Sequence, residues 1–156
     1  MAHPTVPVSF GAWSADIDAE LGPVVLALWR AGIETVSACQ DEGESWLAFA
    51  DQAPWFAAQS RAHAGRAYVD FANLDAVTRF LDVVANAGRR DEMYRRMSSP
   101  ATPDAWEVRV TFYDALVTQD AVDWTNPSTF AAGVVRVRFP RSDIAEIAAR
   151  LGRPTD

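Results

Sequence analysis

Two stretches of the sequence, residues 67–88 and 135–152, repeat one pattern that limits the folds open to this chain. In each, apolar and polar residues alternate up to a phenylalanine, and two or three residues later an amphipathic helix runs to a glycine. Alternation predicts a strand with one covered face, because successive side chains of a strand point to opposite sides of its sheet. The pattern therefore predicts two halves that each end in a strand followed by a helix.

Three further strands are predicted at residues 33–38, 46–50 and 106–113, and the last of them alternates most clearly. A helix is expected from Ile17 to Gly32, and either a short helix or a structured loop is expected from Pro54 onward. We therefore expect an α+β fold with a mostly antiparallel sheet of about five strands and helices packed on one face. Two strand-strand-helix halves of this kind also occur in ferredoxin-like folds.

The chain of 156 residues fits a single domain. Residues 1–15 show no period and predict an extended lead-in, which leaves residues 16–156 as one α+β domain. Residues 89–103 hold charges followed by Ser and Pro, and predict a linker between the two halves. The predicted core consists of Leu21, Val25, Leu28, Trp29, Leu81, Val108, Val110, Val137, Ile147 and Leu151.

Composition restricts the compartment and the cofactors. No apolar run approaches the roughly 18 residues of a membrane span, and the N-terminal sequence lacks the pattern of a secretory signal. The single cysteine cannot form an internal disulfide, which fits a reducing compartment. We therefore expect a cytoplasmic protein with no membrane contact, no cofactor and no cysteine-based zinc site within one chain.

The net charge of −7 is concentrated in the first 60 residues, and the remainder holds as many basic as acidic residues. An acidic region repels phosphate backbones, so nucleic acid is not an expected partner. A cationic protein surface or a small molecule is expected instead. All 14 basic residues other than histidine are arginine, which removes lysine Schiff-base chemistry.

The candidate site is centred on Cys39, which follows a predicted strand and precedes Asp41, Glu42 and Glu44. Carboxylates disfavour a thiolate, so a partly buried structural thiol is expected. A catalytic alternative pairs Cys39 with His63 or with a loop carboxylate as base. The acids could also hold a hard cation, but their spacing departs from a calcium loop, and a solvated turn is expected.

Six tryptophans are many for a chain of this length. Trp13, Trp55 and Trp124 lie in the least patterned segments, and aromatic side chains are favoured in binding surfaces. Together with the cysteine loop they predict a ligand site. Its candidate residues are Ser37, Cys39, Gln40, Asp41, Trp46, Trp55 and Trp124.

The segment L-x-x-L-W-R-A-G-I-E-T-V-S-A-C-Q-D-E-G, followed later by A-Y-V-D-F-A-N-L-D-A-V-T-R-F-L, resembles a group of small proteins of high-GC actinobacteria and their phages. The resemblance covers residues 17–87 and brings no activity with it. It implies a compact intracellular accessory protein and is compatible with a mobile-element origin.

Two hypotheses follow. The favoured one is a non-enzymatic binding module for a small ligand or a protein partner, and the alternative is a small cysteine-dependent enzyme of acyl or phosphoryl chemistry. A twofold homodimer is also predicted, because Val134 to Phe139 resembles an exposed sheet edge near Trp124 and Phe130.

Overall fold

The structure is a computed structural model that describes residues 3–87, 90–114 and 131–153. The strands in these ranges are β1 (Thr5–Phe10), β2 (Trp13–Asp18), β3 (Thr35–Cys39), β4 (Arg66–Phe71), β5 (Glu107–Asp114) and β6 (Ala131–Pro140). The helices are α1 (Gly22–Arg30), α2 (Glu42–Leu47), α3 (Pro54–Ala62), α4 (Leu74–Asn86), α5 (Glu92–Ser98) and α6 (Ile144–Leu151). A 3₁₀ turn, Arg141–Asp143, leads into α6.

The fold is α+β, as the sequence predicts. Strands β3, β4, β6 and β5 form a four-stranded sheet in that order, and β1 and β2 form a separate hairpin. All neighbouring strands are antiparallel. Each half supplies two paired strands and a helix, so that β4 and β6 meet at the centre of the sheet. The predicted strand-strand-helix halves are therefore present, but the main sheet has four strands instead of about five.

The two faces of the four-stranded sheet differ. Val69 and Val137 are register partners on the apolar face and are fully buried in a cluster with residues of α1, α4 and α6. We call the opposite side the polar face, and it carries Tyr68, Arg136 and Arg138. Helices α2 and α3 lie at this polar face, whereas the sequence pattern indicated helices on one face only.

Most of the predicted core is buried, but the edge strand is not. Val108 and Val110 are 50% and 49% exposed. Both lie on β5, which is an edge strand of the four-stranded sheet, so the alternation predicted the strand correctly but not its burial. Among the other predicted core residues, the buried ones are Leu21, Val25, Leu28, Trp29, Val137 and Ile147, while Leu81 and Leu151 are partly buried.

Several element boundaries differ from those expected. Residues 5–18 form a hairpin, so Ile17 lies in β2 and α1 begins only at Gly22 with a proline in its first turn. Residues 89–103 contain α5 within the predicted linker. Residues 46–50 do not form a strand.

Residues 115–130 lie outside the described residues, and they include Trp124 of the predicted ligand site and Phe130 of the predicted dimer contact. Strand β6 lies between β4 and β5, so the predicted exposed edge at Val134–Phe139 is wrong. None of the helices in the described ranges is long and apolar enough to cross a membrane.

Candidate functional site

The polar face is held together by an arginine between two carboxylates. Asp70 and Arg136 are register partners on β4 and β6, and the guanidinium donates from Nε to Oδ1 at 2.8 Å and from Nη2 to Oδ2 at 2.9 Å. The same guanidinium lies over the ring of Tyr68, 3.6 Å from its centroid. This arrangement fixes the planar guanidinium against the sheet.

Glu42, in the first turn of α2, bonds to two arginines of β6. It is 4% exposed and accepts hydrogen bonds from Nη1 of Arg136 at 2.9 Å and from Nε of Arg138 at 2.6 Å. Arg138 also donates to Glu107 at 2.6 Å. Burial alone would raise the pKa of Glu42, but the Arg138 and Arg136 guanidinium groups outweigh it and keep that pKa below its ordinary value.

Helix α2 is fixed close to the end of α3. Asp41 caps it by accepting from the backbone N–H of Glu44 at 3.1 Å, and its second oxygen accepts from the N–H of Gly65 at 3.2 Å. Gly43 allows the contact, because a Cβ there would lie 2.6 Å from the Cα of Ala64. The carboxylate of the next helix residue is therefore held above the polar face.

Four aromatic rings from α2, α3 and their connection form one cluster. Trp46 lies 5.6 Å from Trp55 and 5.7 Å from Phe56 between ring centroids, and Phe49 lies 5.6 Å from Phe56. Trp55 is 53% exposed. The indole N–H of Trp46 is buried and has no acceptor among the described residues.

A cleft of about 580 Å³ opens between this helix pair and the polar face. It is lined by Glu42, Trp46, Gln59, His63, Arg109, Val110, Thr111, Arg136 and Arg138. Gln59 contacts Nε2 of His63 at 3.1 Å, and burial lowers the pKa of this histidine.

Arg109 is the least neutralised cation of the cleft. It is exposed, and its register partner on β6 is a second arginine, Arg136. In the ranges that the structure describes, no carboxylate pairs with Arg109, whereas Arg136 bonds to two.

Cys39 does not meet the histidine that the sequence suggested. Its Sγ lies 3.1 Å from Oγ of Ser45 and 3.9 Å from Nδ1 of His3, and no hydrogen bond to His63 exists in the described part of the chain. Burial raises the pKa of the thiol to about 11. Cys39 is buried, where a partly buried thiol is expected from the sequence, and its neighbouring imidazole comes from the segment before β1.

The remaining candidate residues are divided between structural and cleft positions. Gln40 accepts from the backbone N–H of Glu20 at 3.1 Å, and Ser37 donates to Asp70 at 2.7 Å. Trp46 lines the cleft, and the ring of Trp55 lies against the ring of Trp46. Trp124 lies outside the described residues.

The expected solvated turn at Asp41, Glu42 and Glu44 is wrong for the first two, which are buried. Four acids of the first 60 residues instead pair with arginines at positions 136–141. The pairs are Glu42 with Arg136 and Arg138, and Arg141 with Glu20, Asp41 and Glu44.

Sequence reasoning missed Arg109, Arg136 and Arg138 as site residues. The available signal was their alternation with apolar residues on two strands, which places all three on one face.

Comparisons with protein-family models, curated proteins and solved structures find no match. The function is therefore inferred from the chemistry of the cleft itself.

Proposed function

We propose that the protein is a non-enzymatic binding module whose cleft takes a small organic anion, a carboxylate or a phosphate. The observation that carries the proposal is Arg109, an exposed guanidinium in the cleft with no carboxylate partner among the described residues. The planar fork of arginine matches carboxylate and phosphate oxygens in a bidentate manner.

The strand register adds to this argument. Arg109 and Arg136 are direct cross-strand partners, and like charges in such positions repel. Asp70 and Glu42 neutralise Arg136 from one side. An anion bound in the cleft would give Arg109 the charge partner that it lacks among the described residues, while Arg136 already has Asp70 and Glu42.

The wall of the cleft favours a ligand with an apolar or planar body. Trp46 lines the cleft, and its buried N–H lacks an acceptor among the described residues. Its indole ring supplies an apolar surface against which a planar ligand body would pack. The volume of about 580 Å³ falls in the range of small-molecule sites.

The cysteine-dependent alternative has less support. The thiol of Cys39 is buried with a raised pKa, and both ring nitrogens of the adjacent His3 contact carboxylates, Asp18 through Nδ1 and Glu44 through Nε2. Nδ1 of His3 lies closer to Asp18, at 2.9 Å, than to the thiol sulfur, at 3.9 Å. A cationic protein partner is also less favoured, because several of the acids pair within the chain.

Native mass spectrometry of protein purified gently from its native source tests the proposal. We expect a retained small molecule that is released as an anion and is absent from the Arg109→Gln variant. Arg30→Gln is the matched control, since Arg30 is an exposed arginine at the end of α1 on the other side of the sheet. A bare wild-type mass, or equal retention by Arg109→Gln, would contradict the proposal.

A further inference from the structure

Three metal-ligating side chains meet where the hairpin approaches the end of β3. Nδ1 of His3 lies 2.9 Å from Oδ2 of Asp18 and 3.9 Å from Sγ of Cys39, and one ligand atom from each of the three lies within 4.8 Å of the others. His3 precedes β1, Asp18 ends β2, and Cys39 ends β3. Three separate segments of the chain therefore supply the cluster.

We propose that His3, Asp18 and Cys39 bind a zinc ion through Nδ1, Oδ2 and Sγ, with the fourth position open to water or another ligand. Imidazole, carboxylate and thiolate are the protein ligands that zinc takes, and three of them with one open position is a recurrent arrangement. Bonds of roughly 2.0–2.3 Å in tetrahedral geometry separate ligand atoms by about 3.3–3.6 Å. The two observed separations of 2.9 and 3.9 Å lie on either side of that range.

The contacts around the cluster match those of metal ligands. Nε2 of His3 lies 3.0 Å from Oε2 of Glu44, so a proton on Nε2 would leave the lone pair of Nδ1 directed at the other two ligands. Histidines that bind metals usually donate their second N–H to such a carboxylate. The ligand carboxylate accepts the backbone N–H of Gln40 at 2.9 Å, and Oγ of Ser45 lies 3.1 Å from the thiol sulfur.

The burial of these three side chains favours a bound cation among them. The side chain of His3 is 6% exposed and that of Asp18 is 15% exposed, while Cys39 is 6% exposed. A carboxylate and a thiol around one imidazole are poorly solvated in such a place. A divalent ion would supply the charge that both anionic ligands require.

On the cysteine count alone, the sequence predicts no cysteine-based zinc site within one chain, and it places His3 in an extended lead-in. The three ligand residues do not line the cleft, and the site does not depend on the proposed function. Binding of metal would tie the segment before β1 to the ends of β2 and β3.

Titration of the metal-free full chain with Co²⁺, a spectroscopic substitute for Zn²⁺, tests the proposal. We expect thiolate-to-cobalt charge-transfer absorption in the near ultraviolet that saturates at one ion per chain and disappears on addition of Zn²⁺. The band should be lost in Cys39→Ser. His3→Gln and Asp18→Asn should weaken binding about tenfold or more.

Asp16→Asn is the matched control, because Asp16 lies two residues before Asp18 on the same strand and is exposed. Its affinity should equal that of wild type. A wild-type chain without the band, a band that persists in Cys39→Ser, or equal affinities of Asp18→Asn and Asp16→Asn would overturn the proposal.

Thermal unfolding with and without Zn²⁺ is a second measurement, and it does not require the ligand variants to fold. Zn²⁺ should raise the Tm of the wild-type chain and of Asp16→Asn. An unchanged Tm in both would show that these three side chains form only a histidine–carboxylate contact beside a thiol.

Discussion

Glu42 is the single residue on which most of the polar face depends. Its carboxylate is 4% exposed and is shared by Arg136 and Arg138. Removing one member of a buried ion pair leaves charge that is neither solvated nor compensated. The contact therefore sets both the stability and the geometry of the cleft.

Replacing Glu42 by Gln should lower the free energy of unfolding by about 3–5 kcal/mol at neutral pH. The folded-state pKa of Glu42 is lowered from 4.5, so its stabilising contribution is present above 4.5 and is lost as the pH falls through the folded-state value. Urea unfolding should therefore show the difference between wild type and Glu42→Gln shrinking below pH 4.5.

Glu34→Gln serves as the control, because Glu34 is an exposed acid in the same half of the chain. It should change stability by less than about 0.5 kcal/mol. A Glu42→Gln variant as stable as this control at neutral pH would show that the arginine contacts contribute nothing.

Sequence reasoning at this scale identified the buried thiol but not its surroundings. The acids that follow Cys39 indicated a partly buried thiol, and the structure leaves it 6% exposed. Its neighbour His3 could not be found, because residues 1–15 carry no period from which to predict that they fold back as a hairpin. Glu42 was expected in solvent, since a run of three acids gives no sign of arginines almost 100 residues away.

Individual elements show where the local sequence pattern is sufficient to predict a helix or a strand. Asn73 caps α4 by accepting from the N–H of Ala76 at 2.9 Å, and α4 begins where that cap predicts. The run of residues 46–50 is different, because a short apolar stretch fits a strand and a buried helix face equally well. The cap at Asp41 and the aromatic contacts of Trp46 with α3 decide in favour of α2.

The end of α1 is set by a glycine that needs a left-handed backbone. Gly32 has φ of +69°, its N–H donates to Trp29 O at 2.9 Å, and the N–H of Ile33 donates to Leu28 O at 2.9 Å. A Cβ at Gly32 would meet only the end of a flexible arginine side chain at 4.0 Å, so the cost of alanine there is conformational.

Gly32→Ala should therefore destabilise the protein by about 1–2 kcal/mol in urea unfolding. Gly152→Ala is the matched control, because Gly152 also ends a helix but has φ of −82°. It should change the free energy of unfolding by less than about 0.5 kcal/mol. Equal effects of the two substitutions would rule out backbone conformation as the cause.

Across the whole molecule, the uneven charge distribution of the sequence leads to ion pairs between its N-terminal part and strand β6 and the turn that follows it. Acids of the first 60 residues bond to arginines at positions 136–141, around and beyond the central strand β6. Periodicity predicted both halves of the fold, but strand order depends on contacts between distant residues that local pattern does not encode. For this reason the sequence pattern indicated β6 as the edge strand, whereas the strand at that edge of the sheet is β5.

The twofold dimer remains a prediction, and the candidate edge moves to β5. Val108 is 50% exposed there, and among the described strands β5 pairs only with β6. Sedimentation equilibrium should give about twice the chain mass of 17.1 kDa, reduced to the single mass by Val108→Asp.

Val36→Asp is the control for this substitution, because Val36 is 55% exposed on β3 at the opposite edge. It should leave the dimer intact. A wild-type mass near 17.1 kDa at all concentrations would contradict the dimer.

The measurement that tests the anion-binding cleft most directly is an NMR titration of the tryptophan indole N–H signals with benzoate and with phenyl phosphate. The Trp46 signal is assigned by its loss in Trp46→Phe. We predict that one or both probes shift this signal with saturation, that Arg109→Gln weakens the binding about tenfold, and that Arg30→Gln does not. An unmoved Trp46 signal with both probes, or equal binding by Arg109→Gln and wild type, would contradict the account.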